Sequence, residues 1–273
     1  MLETLVNKLQ IEHRVLEKFS MIPFNYFLLV AFAFLFGVVD ASFGMGYGTL
    51  LTPMLLIVGF DPLQVIPAVL VSQLTGDFLA AFFHHRYKNV NLSIGSKAFK
   101  VSVMLAVLGL VASVIAVVVA VNLPTLYLNL YIGVSAVSLG LLILVARNKG
   151  YSFSWVRLFC LGSFASFNKG LSGGGYGPIV IAGQMLTGVE VKNAIGITAL
   201  AEGVTCTVAV FMYFLIGKNV DWLLSILLLI GVALSSPVAA LIVRKIESKT
   251  MKSIIGISTL AIGLLTIFKV LLF

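Results

Sequence analysis

Gly44-Met45-Gly46-Tyr47-Gly48 and Gly173-Gly174-Gly175-Tyr176-Gly177 lie 129 residues apart in a very apolar chain. Each follows one long hydrophobic segment and opens a shorter one. Inside a bilayer the backbone must satisfy its own polar groups, and irregular backbone is tolerated only where protein buries it or a cavity adjoins it. Two breaks at matching positions predict a transporter site between two structural repeats.

Working outward from these loops, the apolar background decides the class. The chain is 60% hydrophobic and only 10% charged. Soluble domains carry about 25% charged residues. The excess apolar surface requires lipid as solvent, which predicts an all-α, multi-pass protein of the cell membrane. The length suits one compact unit of about eight to ten hydrophobic segments of ~20 residues each. The net charge of +8 sits at segment ends, where it anchors the protein on the cytoplasmic side; nucleic acid is not an expected partner. Cys160 and Cys206 both lie in apolar stretches and form neither a disulfide framework nor a zinc pattern, so neither metal nor cofactor is expected. Residues 1–21 carry charges of both signs, with Leu2, Leu5, Leu9, Leu16 and Phe19 on one helical face. This predicts an amphipathic helix lying on the membrane.

Hydrophobic stretches run over 22–43, 49–59, 63–83, 101–121 and 126–146, then again over 155–171, 178–188, 192–216, 222–243 and 253–273. At an offset of 129, Gly44, Gly46, Tyr47, Gly48 and Gly59 match Gly173, Gly175, Tyr176, Gly177 and Gly188, and Asp61 matches Glu190. Lys88-Asn89-Val90-Asn91 resembles Lys218-Asn219-Val220-Asp221. The chain divides into repeat 1 over 22–147 and repeat 2 over 148–273, joined at Arg147-Asn148-Lys149-Gly150. Basic residues concentrate in 84–100, 147–157 and 244–252, while the equivalent loops of the other half are balanced or uncharged. The positive-inside rule puts the basic loops in the cytoplasm. Equivalent loops then face opposite sides: the repeats are inverted and both termini lie outside. Eleven residues of helix rise ~16 Å, about half of a ~30 Å hydrocarbon core. Segments 49–59 and 178–188 are therefore read as half-helices or as distorted crossings.

With its glycine runs, its Gly59-Phe60-Asp61-Pro62 turn, its Gly196-Ile197-Thr198 patch and its Val220-Asp221-Trp222 turn, the chain resembles the TauE/SafE family of sulfite exporters from about residue 34 to 268. It departs from the family pattern where Met45 interrupts the first glycine run, where Pro67-Ala68-Val69 replaces the first Gly-Thr-Ser patch, where Val191 replaces a turn proline, and where Lys218-Asn219 replaces a glycine. The resemblance implies a membrane transporter of sulfite or sulfonates, not an enzyme.

The residues themselves point to an anion. Helix N-termini present unpaired N–H groups and roughly half a positive charge. Glycine lets that backbone approach a ligand. Gly44, Gly46, Tyr47, Gly48, Gly173, Gly174, Gly175, Tyr176 and Gly177 are candidate binding residues for a small oxyanion; the competing reading is that the glycines only let helices cross closely. Lys169 precedes the second glycine run and aligns with Asp40 before the first. Intramembrane charges cost about 2.5–3.5 kcal/mol, so each needs a partner or a task. Lys169 either attracts the anion or pairs with Asp40. Glu202, aligned with Gln73, is a candidate for proton coupling, with Asp40 and Asp77 behind it. His84-His85 is read as a loop end rather than a metal site, and Asp221 as the cap of a helix that starts at Trp222. Two transport modes fit: alternating access, or a passive anion channel of the same build. The expected partners are the bilayer and a small oxyanion, with protons as a candidate co-substrate; oligomeric state is not encoded in any of these features.

Overall fold

A computed structural model describes residues 26–44, 46–146, 154–186, 189–217, 220–243 and 248–272. The expected amphipathic helix over 1–21 and the repeat junction at 147–148 lie outside the described residues. The rest is helical: α1 (Tyr26–Phe43), α2 (Tyr47–Val58), α3 (Pro62–Arg86), α4 (Lys97–Asn122), α5 (Thr125–Ala146), α6 (Trp155–Ser172), α7 (Tyr176–Leu186), α8 (Val191–Leu215), α9 (Trp222–Ile242) and α10 (Ser248–Leu272). Five of them (α1, α3, α4, α8 and α9) are long and apolar enough to cross a membrane. Outward faces carry large apolar side chains such as Val111, Phe159, Phe211 and Leu264, the surface a lipid solvent requires.

Local sequence sets the helix limits. Asp61 accepts from Leu63 N at 2.8 Å, with Pro62 at the first helical position of α3. Ser96 caps α4 through Phe99 N, and Asp221 caps α9 through Leu224 N, as its position before Trp222 predicts. Gly59 closes α2 in the left-handed conformation, φ 113°. Helix starts repeat at the spacing of the glycine loops: α7 and α8 begin at 176 and 191, each 129 residues after α2 and α3 at 47 and 62.

Contact register gives the directions. Gly231 abuts Ala33, Gly37 abuts Ser235, and Ser42 reaches the carbonyl of Ala239, so α1 and α9 run parallel. Gln64 meets Asp221, Gly76 meets Val232, and Asn89 meets Ala240, so α3 runs with them. Gly162 meets Leu105 and Gly170 meets Ala116, while Ser102 meets Ile197 and Gly109 meets Thr205; α4, α6 and α8 share a second direction. Val90, just past the end of α3, sits against Gly196 near the start of α8, so the two directions oppose. In α5 and α10, Gly133 meets Ile267 and Val137 meets Gly263, an antiparallel crossing.

The short helices follow from these directions. α1 and α3 point the same way, so α2 must run back between them, and α7 does the same between α6 and α8. Twelve residues of α2 cover about 18 Å of that return. At its far end Lys269 Nζ donates to the carbonyls of Leu56 at 2.8 Å and Ile57 at 3.0 Å. A cation at a helix C-terminus opposes the negative end of the dipole. His84 departs from the loop-end reading. It is buried in the last turn of α3, with Nε2 2.7 Å from the carbonyl of Ala41 and Nδ1 3.1 Å from Asn89 Nδ2. A histidine pair beside basic residues reads as solvated in sequence, yet this ring ties α1 to α3.

Candidate functional site

Both glycine loops turn through positive φ at matching glycines. Gly44 and Gly173 have φ of 62° and 72°, and their sequence counterparts Gly46 and Gly175 have 134° and 78°. Other residues rarely adopt these angles. Gly44 N donates to Asp40 O, and Gly173 N donates to Lys169 O. Each intramembrane charge thus sits on the last turn before its own loop.

The loops cross one another in the bundle. A Cβ added to Gly48 would fall on the carbonyl of Gly173, and one added to Gly174 would lie 2.7 Å from Gly48 C, Gly48 O and Thr49 N. Thr49 Oγ1 accepts from Gly175 N at 2.9 Å, binding the first half to the second. Asn168 Nδ2 donates to Gly174 O at 2.9 Å and is held in turn by Tyr131 Oη, which donates to Asn168 Oδ1 at 2.7 Å. Beside the crossing is a small cavity of about 10 Å³ whose lining includes Gly48, Thr49, Ser172, Gly174 and Gly175. That is about one probe sphere, the lower bound for a single water. A larger apolar cavity, about 400 Å³, shares Ser135 and Leu139 with it and reaches Tyr131 and Phe164.

Beside the crossing lies a buried polar cluster. Lys169, fully buried, forms an ion pair with Glu202 at 2.9 Å. Lys169 Nζ also donates to Gln73 Oε1. Gln73 Nε2 donates to Glu202 Oε1 at 2.9 Å and to Asp40 Oδ2 at 3.3 Å. Asp40 Oδ1 accepts from Tyr47 N at 3.3 Å, which places a carboxylate on the first turn of α2. Cys206 Sγ donates weakly to Asp77 Oδ2 at 3.9 Å. Gln73 and Glu202, and likewise Asp77 and Cys206, are counterparts at the 129-residue offset. They touch, so the two halves meet at equivalent points of α3 and α8.

The sequence-predicted residues divide accordingly. Gly48, Gly173, Gly174 and Gly175 form the crossing. Gly44 and Gly46 turn the chain beside it, against Ile181 and Val39. Tyr47 and Tyr176 are fully buried, with Tyr47 Oη 2.8 Å from Ser72 Oγ. Gly177 is buried in α7. Lys169, Glu202, Asp40 and Asp77 converge. The partner of Lys169 is Glu202 rather than Asp40; alignment of the repeats puts Lys169 and Asp40 at equivalent places without making them neighbours. Thr49 and Tyr131 were not singled out by sequence, and Gln73 was noted only as the counterpart of Glu202. A hydroxyl one residue past a glycine loop is the signal that could have found Thr49. Among the described residues no group of three or more His, Cys, Asp or Glu could hold a metal ion.

An apolar helical bundle with two returning half-helices and an ion pair buried at their meeting point has the build of a membrane transporter. Residues 29–266 match the family described as Sulfite exporter TauE/SafE. The chain belongs to that transporter family and is not an enzyme. It is similar to "Probable membrane transporter protein YtnM" of Bacillus subtilis (strain 168), 25% identical over 84% of this chain and 79% of the relative. It is also similar to a "Probable membrane transporter protein" of Haemophilus influenzae, 32% identical over 41% of this chain and 43% of the relative. No solved structure gives a significant match.

Proposed function

We propose that this protein moves a small sulfur oxyanion, sulfite or a sulfonate or thiosulfate, across the cell membrane by alternating access of two inverted repeats. The observation that carries the reading is the crossing of two glycine loops beside Lys169, whose charge is buried in a small polar cluster within the bundle. The N-termini of α2 and α7, brought together at the loop crossing, and Lys169 one turn before a loop supply donors that now bind Asp40, Thr49 and Glu202 and that an anion would recruit as those contacts open. An oxyanion with three acceptor oxygens matches that donor set. The family description supports sulfite. The small cavity corresponds to a closed state, and substrate enters as the loops move apart.

Inversion is supported by the opposed directions of α3 and α8 and of α5 and α10, counterparts in the two halves. It places both termini outside. With an impermeant maleimide, a cysteine introduced at Lys218 is expected to react in intact cells, and one at Ile94, exposed in the loop after α3, only in inside-out vesicles. Reaction from one face removes the inverted arrangement.

The transport reading is tested with labelled sulfite in proteoliposomes, with thiosulfate, methanesulfonate and taurine as competitors. Saturable uptake with counterflow is expected, reduced by at least one sulfur oxyanion. Ohmic current without counterflow would make the protein a channel, and no competition by any of them would remove the anion reading.

A further inference from the structure

The polar cluster holds more acids than bases. Asp40, Asp77 and Glu202 come from α1, α3 and α8, and each is less than a tenth exposed. Among the described residues Lys169 of α6 is the cation in contact with them. The other titratable groups facing the cluster are Tyr47 of α2, Tyr176 of α7 and Cys206 of α8, all fully buried and ordinarily neutral. One lysine offsets one carboxylate. A second and third carboxylate left ionised in this apolar setting would each be an unpaired buried charge, which proteins avoid by binding a proton. Geometry locates the strain. The single amide nitrogen of Gln73 donates to both Glu202 and Asp40, so these two carboxyl groups face each other across one atom.

We propose that Asp40 and Glu202, bridged by Gln73, form a proton site that fills when Lys169 turns from Glu202 to the substrate anion, so that one proton travels with each oxyanion. The inference rests on the anion reading above. In the closed state Lys169 is committed to Glu202 and Gln73. An anion that recruits the ammonium group leaves the Glu202 carboxylate without a cation and beside Asp40. A carboxylate oxygen then takes a proton from water on the side to which the site is open. When the anion leaves on the other side, Lys169 returns to Glu202 and the proton is released there. Matter balances at each step: one anion and one proton enter, and the same pair leaves; a monoanion then moves without net charge, and a dianion such as thiosulfate carries one net negative charge across. Loss of the lysine and gain of the proton are one linked event, because ion pairing and protonation compete for the same carboxylate. The pair also follows from the repeat. Asp40 and Lys169 are counterparts, as are Gln73 and Glu202. Exchanging the conformations of the two halves gives Asp40 and Glu202 the contact that Lys169 and Gln73 make in the closed state.

Two kinds of measurement on the purified protein test this, one with substrate and one without. In weakly buffered detergent solution near neutral pH, thiosulfate, which stays fully ionised there, is expected to draw about one proton per bound anion. Glu202→Gln should abolish that uptake. In proteoliposomes an inward proton gradient should drive thiosulfate accumulation in the wild type and fail in Glu202→Gln, while anion-for-anion exchange persists at a reduced rate. The second measurement needs no substrate: the infrared C=O stretch of a buried protonated carboxyl is expected in the resting protein and should weaken in Asp40→Asn or Asp77→Asn. Thiosulfate bound without proton uptake, or uptake unchanged in Glu202→Gln, overturns the proton site and leaves the anion reading intact. A carboxyl band that persists when thiosulfate does not bind upholds protonation of the cluster and sinks the thiosulfate reading instead. Absence of the band overturns the proposal outright.

Discussion

Lys169→Ala is expected to abolish saturable sulfite flux and to lower the melting temperature of the purified protein. The two losses have separate causes. For flux, a charge-assisted hydrogen bond to an oxyanion contributes about 1.5–3 kcal/mol, so its removal weakens binding by roughly ten- to a hundredfold. For stability, Glu202 loses its 2.9 Å ion pair and is left in a site that is almost fully buried. Breaking one side of a buried pair costs about 3–5 kcal/mol, chiefly because an uncompensated charge remains. A double variant separates the two effects. In Lys169→Met with Glu202→Gln both charges leave together, and replacement of a whole buried pair by neutral groups of similar size is often neutral for stability. Its melting temperature should return towards the wild type while flux stays lost. Wild-type flux in either variant would take Lys169 out of the transport path. Full stability in Lys169→Ala would mean that Glu202 does not depend on its partner.

What was legible in the sequence follows from what each residue type must do. The returning half-helices could be read from Gly44–Gly48 and Gly173–Gly177 because left-handed turns demand glycine and because eleven or twelve apolar residues are too short for a straight span. A repeat was expected from sequence because the glycines of Gly44–Gly48 and Gly59 recur at Gly173–Gly177 and Gly188, and the starts of α2 and α3 recur in α7 and α8 at that spacing. Lys169, Glu202, Asp40 and Asp77 stood out because charge in an apolar run is expensive. Their pairing was not legible. Lys169 lies on α6 and Glu202 on α8, and which faces meet depends on how α4 wedges against both helices. Gln73 escaped attention as a bridge because a neutral amide carries no sequence signal of burial. Its importance appears only when its two ends are found on a lysine and on two carboxyl groups. Thr49 and Tyr131 were invisible for the same reason: ordinary polar residues that become essential by position.

Gly48→Ala and Gly174→Ala are each expected to destabilise the protein and to suppress transport, because at both positions the new methyl group meets backbone. At Gly48 it would fall on the Gly173 carbonyl and lie 3.1 Å from Gly174 Cα; at Gly174 it would lie 2.7 Å from three backbone atoms of Gly48 and Thr49. Side chains can rotate away from such an intrusion, but two crossing loops can only separate. Overpacking of this kind costs about 1–3 kcal/mol, and more where nothing yields. Separation would also lengthen the Gly175 N to Thr49 Oγ1 hydrogen bond, 2.9 Å in this structure. Gly162→Ala is the comparison. Its methyl group meets the side chains of Leu105 and Leu108, which can turn aside. Alanine is also about 1 kcal/mol better than glycine inside a helix, which offsets the crowding. Melting in detergent and labelled-sulfite flux should therefore be close to wild type for Gly162→Ala and clearly lower for the two loop variants. The double variant gives the stricter test. Once the first methyl group has pushed the loops apart, the second enters space already opened, so the combined loss should fall below the sum of the single losses. Strict additivity would mean that the two glycines do not share one crossing. Wild-type melting and flux in both single variants would mean that close approach of the loops is not what either glycine is there to permit.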